Sequence, residues 1–313
     1  MASGTRAQYK LATYQTKEGP RAGLIVGDDV FDAAKVTGKA AYAALAGILA
    51  DWKSAEGALK KAAASASKSR AKRQPLAKTK LLAPLPSPPT IFCAGANYAD
   101  HAAAMARKAG QPEPADPHEQ GQKPYFFIKA ARTLADPGAT IKVGGYAEQL
   151  DWEIELAAVI GRPAKNVPIE KALNYVAGYT AANDLSARDR GRRPGVEATS
   201  FFKMDWIKHK SFDGSCPLGP WVVPASDIKD PQQLGLKLWV NGTLRQDSNT
   251  SKMLFTLAEQ IAHLSENMTL HPGDLILTGT PAGTGAESGE FLKSGDVIKI
   301  WIEGIGAFTN KIA

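Results

Sequence analysis

Apolar and polar positions alternate through Asp151-Trp152-Glu153-Ile154-Glu155-Leu156, and an unbroken apolar run, Ala157-Ala158-Val159-Ile160, follows before Gly161. Period two predicts a strand with Glu153 and Glu155 on one face and Trp152, Ile154 and Leu156 on the other. A second apolar, β-prone run starts at Val176 and ends at Asp184. Shorter strands are predicted between residues 9 and 33, with Gly27-Asp28-Asp29 as a turn. The Ala-rich stretch 40–65 predicts helix, and 66–80 a loose basic connector. Pro84, Pro86, Pro88 and Pro89 then mark a boundary.

Beyond that boundary the pattern is again strand-rich. Asn241-Gly242, flanked by 236–240 and 243–246, predicts a hairpin. Leu254, Leu257, Ile261 and Leu264 recur at helical spacing, which predicts a helix over 251–264. Apolar runs at 274–277 and 296–302 predict two further strands, the first entering the Gly-rich loop Thr278-Gly279-Thr280-Pro281-Ala282-Gly283. Long strands with two or three helices predict an α+β, mostly β fold. The expected organisation is a small N-terminal domain over 1–80 and a main domain over 81–313.

Composition narrows the class. The chain has 313 residues, 44% hydrophobic and 22% charged, in the ordinary globular range. No apolar run is long enough to cross a bilayer, so no membrane role is expected. The first residues lack the apolar core of a secretory signal, and Cys93 and Cys216 lack metal or redox spacing, so a cytoplasmic location is expected. The net charge of +7 is concentrated between Lys53 and Lys80, where nine Lys or Arg face one acid, Glu56. That segment admits two readings, a nucleic-acid tether or a solvated helix with a linker. It lacks aromatic interleaving, and no nucleic-acid partner is expected.

The chemistry begins with Glu153 and Glu155. Like charges side by side next to an apolar run are costly unless offset, and a divalent cation would offset them. Asp184, at the end of the next apolar run, is the candidate third oxygen ligand. The same patterns also fit a solvated strand face and a turn or helix cap.

Further segments stand in a fixed order. Phe92-Cys93-Ala94-Gly95-Ala96-Asn97-Tyr98-Ala99-Asp100-His101 precedes the Glu-x-Glu strand; Asn183-Asp184-Leu185-Ser186-Ala187-Arg188-Asp189 follows it. Lys210-Ser211-Phe212-Asp213, Pro217-Leu218-Gly219-Pro220-Trp221, Val240-Asn241-Gly242, Thr278 to Gly283 and Glu303-Gly304-Ile305-Gly306 complete the set. In this order the segments resemble the fumarylacetoacetate hydrolase superfamily over about residues 81 to 313. The resemblance implies a twisted β-sandwich-like roll, usually a homodimer, with a small N-terminal α/β domain beside it here. It implies Mg²⁺ or Mn²⁺ held by Glu153, Glu155 and Asp184. It makes His101 a general base, Lys210 and Arg188 polar catalytic residues, and Lys129, Thr280 and Arg188 substrate contacts.

The implied activity is metal-dependent hydrolysis of a C–C bond in a 2-oxo or 1,3-dioxo acid of the acylpyruvate or fumarylpyruvate type, within aromatic-compound catabolism. Decarboxylation or isomerisation of a related 2-oxo-enol acid on the same metal site is the alternative, and a catalytically silent binding protein a further one.

Two departures matter. Many hydrolases of this superfamily carry a Glu three residues after the motif His, where this chain has Ala104. Glu113 or Glu119, in the long segment 107–123, is the candidate replacement. A Gln common after the Arg-Asp pair is also replaced, and Arg190, Arg192 and Arg193 could instead select a substrate with an extra carboxylate. His118, His209, His263 and His271 belong to no motif and are expected to be structural or exposed.

Overall fold

A computed structural model describes residues 8–66 and 72–313. Two sheets dominate it. The larger has twelve strands. Its path runs from Arg73–Pro75 through Asp29–Asp32, Gly19–Val26, Lys10–Thr16, Cys216–Pro224, Val176–Asn183, Ile154–Ile160, Leu275–Leu277 and Ile91–Gly95 to Tyr125–Lys129. The smaller has five strands, with Gly235–Val240, Val297–Ile302 and Gly306–Ile312 at its centre. The α+β, mostly β expectation and the two-sheet packing agree with this architecture.

Every residue of Ile154–Ile160 is buried, so the strand serves two cores at once. Ile154, Leu156, Ala158 and Ile160 pack with Leu236, Leu238, Ile298 and Ile300 of the small sheet. Ala157 and Val159, on the opposite face, pack with Leu49, Trp52 and Leu59 from the N-terminal helices. A strand buried on both faces reads as a continuous apolar run, as this one does. The solvated-face reading of Glu-x-Glu is thereby excluded, since Glu153 is 5% and Glu155 1% exposed.

The N-terminal segment continues the large sheet. Lys10–Thr16 pairs antiparallel with Gly19–Val26 and, through Leu11 opposite Val222, with Cys216–Pro224. The Ala-rich stretch folds as three short helices, Ala40–Ala43, Leu45–Ala50 and Trp52–Ser65, rather than one. The breaks fall at Ala44 and Asp51, both outside helical geometry. Asp51 is held there by Tyr42 and Lys39. Trp52 sits against Gly161, where any Cβ would lie 2.9 Å from the indole, so a glycine is required at that contact. Part of the basic connector, including Lys68 and Arg70, lies outside the described residues. Its later part forms Arg73–Pro75, paired with Asp29–Asp32.

Asn241 and Gly242 both have positive φ, 51° and 80°, the geometry of a tight hairpin turn. The predicted helix starts later than its apolar spacing suggests, at Leu257–Asn267, because Thr256 and Glu259 form a capping box there. Among the described residues no helix is long and apolar enough to cross a membrane.

Candidate functional site

The register of two neighbouring strands assembles the carboxylates. Ile154 pairs with Asn183, which sets Glu153 beside Asp184. Two bonds fix the pair: the Glu153 amide donates to Asn183 Oδ1 at 2.9 Å, and the Asp184 amide to the Glu153 carbonyl at 2.8 Å. Glu155 joins from the same strand face. Carboxylate oxygens of Glu153, Glu155 and Asp184 all lie within 4.8 Å of one another, and all three residues are buried. The Gly-rich loop closes on this trio. Gly279 has a φ of +95°, and an added Cβ there would meet Asn97 at 2.9 Å. Its amide donates to Glu155 Oε2 at 2.7 Å. Asn97, in turn, bonds the Thr278 and Phe255 carbonyls, which explains why an Asn follows Gly95-Ala96.

Three cations face the carboxylates. Lys210 ends the short helix Trp206–Lys210, capped by Asp205, and donates to Glu153 Oε2 at 2.8 Å and Asp184 Oδ2 at 2.6 Å. Arg188 bridges Glu153 and Asp151. Lys129 donates to Asp184 Oδ1 at 2.6 Å. Burial opposes ionisation of Glu153, but Lys210 and Arg188 overcome it and hold the carboxyl below the usual range. Glu155 goes the other way: burial first, then the charges of Asp184 and Glu153, push it well above the usual range. Four buried carboxylates, counting Asp151, thus stand against three cations. Oxygen donors, the residual negative charge and a Glu155 whose one hydrogen bond comes from the Gly279 amide all fit a hard divalent cation.

A cavity of 110 Å³ opens over this cluster. Glu153, Glu155, Arg188, Lys210, His101 and Thr280 supply its polar lining. Aromatic rings line the rest: Phe127 stacks on Trp206 at 5.2 Å, and Trp206 on His209 at 5.6 Å. A larger cleft of 690 Å³ over the N-terminal strands has its Arg21 and Arg73 already paired with Asp32 and Asp29 and brings no comparable cluster together.

His101 lies on the helix Ala99–Lys108, and its Nδ1 is 2.5 Å from Glu287 Oε1. Neither Glu113 nor Glu119, the expected replacements, reaches it; both are exposed. Glu287 comes instead from the four-residue helix Gly285–Ser288 beyond the Gly-rich loop. Lys129, expected to contact substrate, has a wholly enclosed side chain (0% exposed) whose ammonium is paired with Asp184. Thr280 lines the cavity, but its hydroxyl is committed to Gln246 and the Ile154 carbonyl. Arg190, Arg192 and Arg193 are exposed and outside the lining; Arg190 bonds the Tyr146 carbonyl and Arg193 the Asp205 carboxylate. Of the unassigned histidines, His118 bridges Asp116 and Glu259 and ties segment 107–123 to the capping box.

His209 is the residue whose position its neighbours in sequence conceal. It lines the cavity and is 7% exposed, and neither ring nitrogen has a partner. Burial first, then the charges of Lys210 and Arg188, push its pKa down to about 3. The unfolded chain therefore takes up a proton near pH 6.5 that the folded chain refuses. Stability is full above that pH and falls below it, by at most about 1.4 kcal/mol per pH unit. Between pH 6.5 and 5 the expected loss is about 2 kcal/mol. His209→Leu removes the unpaired nitrogens, raises the melting temperature and flattens its fall over that interval. Scanning calorimetry at several pH values checks this, and an unchanged slope in the variant would contradict it.

A family model described as fumarylacetoacetate (FAA) hydrolase C-terminal matches residues 90–313. The mitochondrial oxaloacetate tautomerase fahd2 of Xenopus laevis is 40% identical over 235 residues, covering 74% of this chain and 68% of that protein. A crystal structure of a putative HpcE protein from Mycobacterium smegmatis matches with a TM-score of 0.78 and 30% identity, covering 97% of this chain and 99% of the other. The maleylpyruvate hydrolase of Sphingobium sp. SYK-6, solved with manganese(II) and pyruvate, matches at 0.71 and 28% identity, over 96% and 98% of the two chains. With the family match spanning most of the chain and the structural likeness nearly all of it, the chain belongs to the fumarylacetoacetate hydrolase superfamily.

Proposed function

We propose that the chain interconverts the keto and enol forms of a short 2-oxo acid, with oxaloacetate as the model substrate. The observation that carries this reading is the buried carboxylate trio, of which Glu153 and Glu155 line a cavity of only 110 Å³ together with His101. Glu153, Glu155 and Asp184 would hold Mg²⁺ or Mn²⁺, which when bound supplies Lewis-acid polarisation of a 2-oxo carbonyl. His101 takes a proton from the carbon beside that carbonyl and returns it at the enol oxygen, so nothing is consumed. Lys210 provides fixed positive charge beside the developing enolate, and Arg188 holds Glu153 in place. The unpartnered nitrogens of His209 offer one donor and one acceptor to the distal end of the substrate. The tautomerase named among the relatives supports the same reading.

Hydrolysis of an acylpyruvate C–C bond is the second reading, favoured by the His101–Glu287 contact, which suits the activation of water. There the water hydroxyl adds to the acyl carbon and the cleaved enolate carbon takes the proton. The resemblance also implies the homodimer, and the buried thiols of Cys93 and Cys216 fit a reducing compartment.

Loss of enol absorbance on oxaloacetate, acylpyruvates and fumarylpyruvate, with Mg²⁺ and with chelator, tests the proposal. Chelator-sensitive equilibration of oxaloacetate without CO₂ release is expected. Two acids from an acylpyruvate would establish the second reading, CO₂ release would establish a decarboxylase, and rates equal to those in buffer across the panel would overturn the enzyme reading.

A further inference from the structure

The cavity lining divides by chemistry. Glu153, Arg188 and Lys210 are joined by ion pairs, while Phe127, Trp206 and His209 form a run of stacked rings. The two parts meet where the Lys210 ammonium stands 5.1 Å from the centre of the Phe127 ring. His209 ends the run and is wedged there. Its ring centre lies 5.6 Å from that of Trp206, with 29° between the planes. It also meets the buried backbone of Gly191, where an added Cβ would lie 2.9 Å from its Cγ and 3.0 Å from its Nδ1. Gly191 is itself held. Its carbonyl accepts from the Asp205 amide at 2.9 Å, and Asp205 caps the helix that carries His209. Arg188, tied to Asp151 and Glu153, starts the helix Arg188–Gly191. Neither nitrogen of His209 has a partner among the described residues, so packing alone fixes the ring. The space it borders is 110 Å³, well below the roughly 300–1,000 Å³ usual for small-molecule sites.

We propose that His209 determines substrate length: its ring, seated on Gly191, fills the space that a longer tail on a 2-oxo acid would need. An acid whose 2-oxo end meets Arg188, Lys210 and the carboxylate cluster turns its remainder toward the ring wall. The imidazole has nowhere to retreat, because Gly191 and Trp206 are packed against it, and a close-packed interior takes added volume as strain. Gly191 lies within a helix and has no positive φ, so its missing side chain serves space and not a turn. This inference rests on the 2-oxo acid reading of the site.

Titration calorimetry with pyruvate, 2-oxobutyrate, 2-oxopentanoate and 2-oxohexanoate at saturating Mg²⁺ tests it without turnover. The natural chain is expected to lose about tenfold or more in affinity between pyruvate and 2-oxohexanoate. His209→Ala is expected to raise the ratio of 2-oxohexanoate to pyruvate affinity about 10- to 100-fold. His209→Leu keeps the bulk and drops the nitrogens, and is expected to hold that ratio within about threefold of the natural chain. Gly191→Ala presses on the ring from behind. It is expected to lower the melting temperature, and its combination with His209→Ala to recover most of that fall, since the Cβ then has room. A merely structural His209 would leave the length profile unmoved. An unchanged ratio in His209→Ala, a ratio in His209→Leu as high as in His209→Ala, or additive losses in the double variant would overturn the proposal. Binding of the series by the natural chain without chelator-sensitive equilibration of oxaloacetate would overturn the functional reading alone. No binding of any of the four acids by the natural chain or by His209→Ala would overturn both.

Discussion

Glu155→Gln is expected to lower turnover about a thousandfold or more while raising the melting temperature of the metal-free protein. The two effects have one origin. Glu155 is the carboxylate that the protein leaves least compensated: it accepts one hydrogen bond, from Gly279, and faces the charges of Asp184 and Glu153. Removing its charge relieves like-charge repulsion in a buried cluster, which favours the fold. The same change replaces one of the three proposed charged oxygen ligands with a neutral amide, and Lewis-acid stabilisation of a developing enolate is worth several kcal/mol, about 1.4 kcal/mol per tenfold in rate. Steady-state kinetics with saturating Mg²⁺ and calorimetry with chelator measure the two arms. Full activity in the variant would remove Glu155 from the metal site, and a lowered melting temperature would contradict the repulsion argument.

Lys129→Met is expected to act on stability far more than any surface change. The Lys129 ammonium is wholly enclosed and donates to Asp184 Oδ1 and, at 3.3 Å, to the Leu185 carbonyl. Breaking one partner out of a buried ion pair costs about 3–5 kcal/mol, because the remaining charge stays desolvated. For a chain of this size that corresponds to a fall in melting temperature of roughly 10 °C. Added Mg²⁺ is expected to recover part of the loss, since a cation at Glu153, Glu155 and Asp184 would neutralise the same carboxylate. An unchanged melting temperature would mean that Lys210, which also donates to Asp184, compensates that carboxylate by itself.

Much of the cluster was legible because local rules govern it. Period two alone put Glu153 and Glu155 on one face, and a strand ending at Asp184 pointed to the third carboxylate. Asn241-Gly242 announced its hairpin through backbone stereochemistry. The illegible parts depend on contacts between distant segments. Nothing near Glu287 marks it as a partner of His101, since the pairing exists only once the C-terminal loop packs on the helix Ala99–Lys108. Whether Lys129 meets a substrate or is enclosed with Asp184 turns on the pose of the Tyr125–Lys129 strand against its neighbour, which periodicity does not set. His209 was hidden beside Lys210. The five-residue helix that carries them buries both side chains, and only the stacking of Trp206 reveals which way the imidazole turns.

The shared central strand bears on how this molecule could be divided. The family match begins at residue 90, yet the wall behind Ala157 and Val159 is built from Leu49, Trp52 and Leu59. A chain started at that boundary would bare an apolar sheet face and strip Leu11 from its place opposite Val222, turning a paired strand into an edge open to other molecules. The described residues before position 90, which contribute no side chain to the cavity lining, thus work as the backing plate against which the carboxylate-bearing strand is kept straight and dry.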